Sequence, residues 1–327
     1  MILSYLPADG HLKAETPAEN SPELSSAVWI DLTCPAEAEE AAVERATGIE
    51  IPTHEEMVEI EQSSRLYMHN GARYMTASLL CRAADDHIGE VTAVTFILSG
   101  NQLITVRYAE PRVFKAIAAH LDRSCPPDIT GEKILIEILE AVVDRGADML
   151  EQIGLEVDNL SRRVFDHDDD KRRNASQRYR DILAEIGRKE RLLSATRESL
   201  ASLQRLLSFL GADAGGSSVT KETKVSTKSM SRDVAGLSDY AAFMSGKLQF
   251  MLDATIGMVG LEQNNIIKIF AVLSVVLMPP TLIASIYGMN FSHMPELQLS
   301  FAYPLTLTAM VLSGILPYVF FKLRGWL

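Results

Sequence analysis

The sequence predicts an α+β chain: an N-terminal mixed α/β domain, a long helical stalk and two C-terminal transmembrane helices. Three observations carry this expectation. Short apolar runs separated by turn residues fill roughly residues 1–125. From Gly131 onward the apolar residues recur at helical spacing without strand-like runs. Two segments, residues 269–289 and 301–321, are each 21 residues long and carry no charge. Each is long enough to cross a hydrocarbon core of about 30 Å as a helix. The expected domains are 1–125, 126–262 and 263–327, the last with helices at about 268–289 and 301–321 and an outer loop at 290–300.

The elements follow in order. A short strand is expected near residues 2–6, then a loop carrying Pro7, Pro17 and Pro22. Residues 28–32 form a compact apolar strand candidate. A helix follows Thr33, with Pro35 near its start and Gly48 at its end, in keeping with proline at helix starts and glycine past helix ends. Thr53-His54-Glu55-Glu56 has the spacing of a capping box and opens a short helix. Strands are expected at 65–69, 73–81, 91–98 and 102–108, the last two joined by a Gly100-Asn101 turn. Pro111 precedes a helix over 112–121.

In the helical half, Ile134, Ile138, Val142, Met149, Ile153 and Val157 mark one apolar face of a helix reaching toward Val164. Residues 166–173, D-H-D-D-D-K-R-R, read as a solvated charged corner. A second long helix spans 176–210. Residues 211–227 are rich in Gly, Ser and Thr and read as a linker. A third helix starts near Met230 and meets no clear breaker before Pro279. Pro279-Pro280 would cost about 3 kcal/mol or more in an ordinary helix interior. A membrane helix can absorb the loss where neighbours satisfy the freed carbonyls, and a bend there can serve as a hinge.

Lys268 precedes the first apolar segment and Lys322 and Arg324 follow the second, whereas 290–300 holds no Lys or Arg. By the positive-inside tendency both termini are cytoplasmic and the loop lies outside. Tyr303, Tyr318 and Trp326 stand where interfacial aromatics are expected. Residues 1–20 lack the basic patch and long apolar run of a signal peptide.

Composition excludes some function classes. Lys and Arg number 31 against 43 Asp and Glu, a net charge of −12, which argues against nucleic acid and is compatible with cations. Cys34, Cys81 and Cys125 have no zinc-knuckle or redox-dithiol spacing, and each is expected to be a small buried apolar group. The run from His54 to Val58 lacks the second histidine of a zinc-protease motif. The run from Gly211 has P-loop glycine spacing but Ser217 where Lys is required, and no G-x-G-x-x-G occurs. No enzyme is expected.

The first apolar segment is not uniformly greasy. Asn264, Ile267, Ala271, Ser274, Met278, Thr281 and Ser285 recur at steps of three and four and share an arc of about 100° on a helix. Such a stripe is either helix-packing glue or the wall of a water-filled path, and spacing alone leaves both open.

The stripe ends at Tyr287-Gly288-Met289-Asn290, followed by Phe291 and Met294-Pro295-Glu296-Leu297. With two C-terminal membrane segments and a basic-aromatic end, this resembles the CorA magnesium transporter family. Glu262-Gln263-Asn264, residues 266–270, Met278-Pro279-Pro280-Thr281-Leu282 and Ala184-Glu185-Ile186-Gly187-Arg188-Lys189 are similar to its proteobacterial branch.

The resemblance implies a homopentamer in the bacterial inner membrane whose first membrane helix lines a pore. It implies passive Mg²⁺ influx, with Co²⁺ and Ni²⁺ also passing, and a gate sensitive to cytoplasmic Mg²⁺. It implies no cofactor; Mg²⁺ is substrate and regulatory ligand, and the partners are other copies and lipid. Gly288, Met289 and Asn290 would form the ion entrance. There Gly288 permits an unusual backbone angle or a close approach of neighbouring chains, Met289 packs, and Asn290 presents a neutral amide oxygen. Thr281, Ser274 and Ser285 would bond the ion's water shell, Met278 would form an apolar constriction, and Asn264 matches a family Asn tied to permeation. Many relatives carry Glu two residues after the pore Asn, where this chain has Ser292-His293, leaving Glu296 as the acidic residue of the loop. Asp85, Asp86, Asp233 and Asp239 are the candidates for regulatory carboxylates.

Two other readings stay open. One is a zinc transporter of the related ZntB branch, which usually differs between the Gly and Asn of the turn and lacks M-P-E-L. The other is a non-conducting sensor or scaffold that the two helices merely anchor.

Overall fold

The computed structural model describes residues 1–8, 10–17, 23–59, 61–82, 89–165, 175–212, 219–290, 294–295 and 300–325. Seven strands form one sheet: β1 Ile2–Ala8, β2 His11–Glu15, β3 Trp29–Thr33, β4 Leu66–His69, β5 Ala72–Arg82, β6 Gly89–Ser99 and β7 Gln102–Arg107. Their order is β2-β1-β3-β7-β6-β5-β4. The β3–β7 pair is parallel and every other pairing is antiparallel. Short helices accompany the sheet: α1 Glu23–Ser26, α2 Glu37–Thr47, α3 His54–Val58, α4 Gln62–Arg65 and α5 Arg112–Arg123. The long helices are α6 Gly131–Phe165, α7 Ala175–Gly211 and α8 Lys221–Tyr287, followed by α9 Ala302–Leu323.

Local chemistry explains these elements. At α3, Glu56 N donates to Thr53 Oγ1 at 3.3 Å and Thr53 N donates to Glu56 Oε2 at 2.9 Å, the reciprocal capping box. Helix α2 starts one residue after Ala36, so Pro35 lies outside it rather than within its first turn. Gly48 ends α2 at φ 69°. Asn70 and Gly71 turn β4 into β5 with both φ values positive, as a two-residue hairpin loop demands.

The sheet has two different faces. On one, Ile30, Leu32, Ile97, Ile104 and Val106 pack with Leu24, Val43, Ile51 and Met57 from the α1–α3 side. On the other, Asp31 and Arg107 form a buried pair at 2.7 Å, and Thr105 Oγ1 donates to Asp31 Oδ1 at 2.7 Å. Trp29 Nε1 donates to Thr105 Oγ1 at 3.0 Å, and the Arg107 guanidinium lies 4.9 Å from the Phe114 ring centroid. A buried ion pair is tolerable only when its remaining donors and acceptors are met, as they are here.

Several expectations are corrected. The loop after β1 contains β2, whose Leu12 is buried against the core, and the short helix α1 follows. Arg65 ends α4 instead of starting a strand. Helix α8 begins at Lys221, nine residues before Met230, because Thr220 caps it: Thr223 N donates to Thr220 Oγ1 at 3.2 Å. Of the three cysteines, only Cys125 is buried; Cys34 is exposed and Cys81 is half-buried.

The chain divides into two compact units, Met1–Arg173 with Arg180–Leu252, and Asn174–Tyr179 with Asp253–Leu327. In the first, α6 buries Ile134, Ile138, Val142, Ile153, Val157 and Val164, as its periodicity predicts, whereas Met149 is only half-buried and its neighbour Leu150 is buried instead. Salt bridges join the helices: Arg163 to Glu185 at 2.5 Å, Lys189 to Glu156, and Lys247 to Asp158. In the second, the last turns of α8 pack on α9. A Cβ placed on Gly314 would lie 3.5 Å from Pro280 Cγ and 3.5 Å from the Val276 carbonyl oxygen. Pro280 leaves that carbonyl without its helical donor, and glycine lets α9 cover it closely.

Candidate functional site

Among the described residues, α8 and α9 are the two helices long and apolar enough to cross a membrane. The first apolar segment ends its helix at Tyr287, and the second runs from Ala302 to Leu323, within two residues of the expected bounds. No residue of α9 is buried, and large apolar side chains such as Phe270, Leu277, Leu282, Leu305 and Leu316 are uncovered along both helices. Apolar surface this extensive is covered by lipid or by other chains in a working protein.

The stripe on α8 has a definite position. Val272 is buried, and Val276, Pro279, Pro280 and Ile283 are half-buried, on the side that meets α9. Each of Val272, Val276, Pro280 and Ile283 is two residues, about 200°, from a stripe residue. Asn264, Ile267, Ala271, Ser274, Met278, Thr281 and Ser285 are all exposed. The seven therefore share the side of α8 turned away from α9. Met278 is the most open large side chain of the stripe, at 68%.

Four stripe residues line one shallow groove: Ser274, Met278, Thr281 and Ser285, together with Leu273, Leu277 and Leu282. Periodicity left out the three leucines, because a 100° arc drawn through the polar residues omits the flanks of the surface they belong to. The signal that could have found Leu277 and Leu282 is their position three or four residues from stripe members; Leu273 lies one turn before Leu277 and has no such spacing to the stripe.

Two hydroxyls in the groove are oriented by the helix itself. Ser274 Oγ donates to the Phe270 carbonyl at 2.8 Å, and Thr281 Oγ1 donates to the Leu277 carbonyl at 2.7 Å. Each spends its one proton on the backbone and keeps its lone pairs as acceptors.

At the end of α8, Gly288 N donates to the Ala284 carbonyl at 2.9 Å and Met289 N to the Ile286 carbonyl at 3.3 Å. Gly288 does not take a left-handed φ, so an unusual backbone angle is not what this turn uses. A Cβ there would stand 3.1 Å from the Ala284 carbonyl oxygen, the acceptor of the Gly288 backbone N–H itself. Asn290 is exposed and its amide bonds to none of the described residues, so it does not cap α8.

The remaining candidates are scattered. Asp233 and Asp239 are exposed on α8, six residues and about 240° apart, and so sit on different sides of the helix. No group of three or more His, Cys, Asp or Glu among the described residues could hold a metal ion within one chain. Asp85, Asp86, residues 166–173, Ser292, His293, Glu296 and Trp326 lie outside the described residues.

Comparison with known proteins gives these geometries a setting. A family model described as CorA-like Mg2+ transporter protein matches residues 25–323. The magnesium transport protein CorA of Escherichia coli strain K12 is 33% identical over 327 residues, covering 100% of both chains. The solved CorA magnesium transporter of Methanocaldococcus jannaschii superposes with a TM-score of 0.77 at 17% identity, over 100% of this chain and 99% of that one. The cytoplasmic domain of ZntB from Vibrio parahaemolyticus RIMD 2210633 matches with a TM-score of 0.56 at 12% identity, over 79% of this chain and 97% of that one. At these identities the two structures speak for the fold alone.

Proposed function

The chain belongs to the CorA-like Mg2+ transporter family, and from that premise we propose that it is a magnesium channel of the bacterial inner membrane, built from copies of itself. The observation that carries this reading is the stripe: its small and polar residues run along the side of α8 that α9 leaves free. Two helices per chain cannot enclose a channel, so a pore requires several copies related by rotation, and the family suggests five. The stripes then face the axis, and both termini are cytoplasmic.

Magnesium fits the residue types. Mg²⁺ sheds water reluctantly, so a ring of neutral oxygens suits the hydrated ion better than a tight cage. The waters of a hydrated cation point their hydrogens outward and need acceptors. Ser274 and Thr281 offer acceptors because their protons are already engaged. Asn290 adds an amide oxygen at the outer mouth, weak enough to release the ion. Met278 narrows the path. Hydrated Co²⁺ and Ni²⁺ meet the same oxygens and pass as well.

The driving force needs no ATP. A double charge gains about 4.6 kcal/mol per 100 mV of inside-negative potential. Left open, such a path overloads the cell, so the cytoplasmic part closes it when internal Mg²⁺ is high. Asp233 and Asp239, with Asp85 and Asp86, are the carboxylates from which neighbouring copies would build that sensor.

The test is Mg²⁺ influx into liposomes holding the purified protein, read with an enclosed magnesium dye. Wild type is expected to conduct, and Asn290→Ala to lose at least about tenfold, about 1.4 kcal/mol, with the oligomer intact. A wild-type protein that moves no Mg²⁺ is an anchor, and one that moves Zn²⁺ unaffected by excess Mg²⁺ is a zinc transporter.

A further inference from the structure

The end of α7 and the start of α8 are each held by a side chain of another element. Arg73, on β5, is only 2% exposed. Its Nη1 donates to the carbonyl oxygens of Phe209 at 3.1 Å, Leu210 at 2.7 Å and Ala212 at 3.3 Å. Its guanidinium carbon also lies 5.6 Å from the Phe209 ring centroid. Carbonyls at a helix C-terminus lack intrahelical donors, and a cation there also meets the negative end of the helix dipole.

Glu132, in the first turn of α6, does the converse at the start of α8. Its Oε1 accepts from Thr220 N at 2.8 Å and from Thr220 Oγ1 at 2.9 Å. A carboxylate is favoured beside the positive end of a helix. The start of α6 is itself seated on the β6–β7 turn, where Gly131 N donates to the Asn101 carbonyl at 2.8 Å. A Cβ on Gly131 would stand 2.4 Å from Leu103 N, so backbone meets backbone there. The end of α7 is thus held to β5, and the start of α8 to α6 and through it to the β6–β7 turn. Helix ends without such partners fray at little cost; ends held by charge-assisted bonds open far less.

We propose that Arg73 and Glu132 are positioning residues that hold the end of α7 and the start of α8 to the sheet, so that a change in the sheet reaches α8 as a displacement. The clamp couples the cytoplasmic sensor to the helix that bears the stripe. It rests on the reading of a channel closed by internal Mg²⁺.

The experiment uses full-length protein in liposomes loaded with graded internal Mg²⁺, comparing wild type with Glu132→Ala, Glu132→Gln and Arg73→Lys. Amide hydrogen exchange at residues 219–224 is measured on the same samples. Glu132 lies at the surface of its contact, so Glu132→Ala leaves the fold standing even if a change at buried Arg73 does not. Glu132→Ala is expected to speed exchange at 219–224 and to shift the half-inhibiting internal Mg²⁺ by at least about threefold, while influx into Mg²⁺-free liposomes stays within about twofold. Glu132→Gln keeps an acceptor for Thr220 and is expected to restore both. Faster exchange with an unshifted midpoint overturns the coupling, and unchanged exchange overturns the clamp. A wild type indifferent to internal Mg²⁺ overturns the gated-channel reading, and the coupling with it.

Discussion

Glu137 carries a carboxylate oxygen, Oε2, that is buried and has no hydrogen-bond partner among the described residues. Burial pushes its carboxyl above the usual carboxylate range; His120 opposes this and Glu140 adds to it. The same carboxylate, after burial, helps push up the Cys125 thiol. A group whose folded pKa is raised contributes stability below its unfolded pKa and loses it as pH rises through the folded value. Glu137→Gln removes the charge that burial penalises. The variant is therefore expected to unfold at a higher temperature than wild type at neutral and alkaline pH. The gain should be on the order of 1 kcal/mol, and it should vanish at pH values below the ordinary carboxylate range. Thermal unfolding followed by circular dichroism across pH checks this; a gain that persists in acid would show that ionisation is not the cause. Asp31 is the contrast, since Arg107 and Thr105 satisfy both of its oxygens.

At the scale of elements, two glycines of α6 make opposite demands. Gly146 lies in the helix interior, where a Cβ would meet Leu200 Cδ2 at 3.8 Å, an ordinary contact. Gly146→Ala is expected to stabilise by up to about 1 kcal/mol through helix propensity. Gly131→Ala is expected to destabilise by more than about 2 kcal/mol, because backbone at 2.4 Å cannot move aside as a side-chain tip can. Denaturant midpoints of the two variants test the pair, and a stable Gly131→Ala would mean that the α6 seat on the β6–β7 turn is looser than its geometry implies. The elements differ in how far they announced themselves. Thr53-to-Glu56 and Gly48 marked helix ends because those ends are set by residues within a few positions. Strand β2 stayed hidden because residues 11–15, H-L-K-A-E, hold few apolar side chains; an edge position next to β1 makes them a strand. The start of α8 was missed because Ser and Thr between 217 and 227 resemble a linker, while Thr220 serves as a cap with Glu132 reaching it from 88 residues away.

For the whole molecule, the orientation of α8 decides function. If the stripe lines a path, Ser285→Cys is expected to react with a membrane-impermeant thiol reagent added outside, and influx should stop. Val311→Cys, on an open face of α9, is expected to leave influx unchanged after the same treatment. Block at Val311 with none at Ser285 would place the wet surface on the wrong helix. The spacing of Asn264, Ile267, Ala271, Ser274, Met278, Thr281 and Ser285 was legible from local sequence alone, because helical period maps positions to one side. Which way that side turns was not legible. Packing glue and pore wall have the same periodicity; the place of α9 shows that the stripe is not packed against α9.

The family, the two long apolar helices, the sheet with its long helices and the stripe ending at Gly288-Met289-Asn290 can be read along the chain. Each is written in local spacing, in uncharged length, or in a motif of adjacent residues. Packing in three dimensions was needed to show that α9 covers the opposite side of α8 through Gly314, Val276 and Pro280. It was likewise needed to show that Ser274 and Thr281 turn their protons inward, and that Arg73 and Glu132 hold the end of α7 and the start of α8. The reason is common to all three: these contacts or orientations are set in space, where helix packing and hydrogen-bond geometry act without regard to distance along the chain.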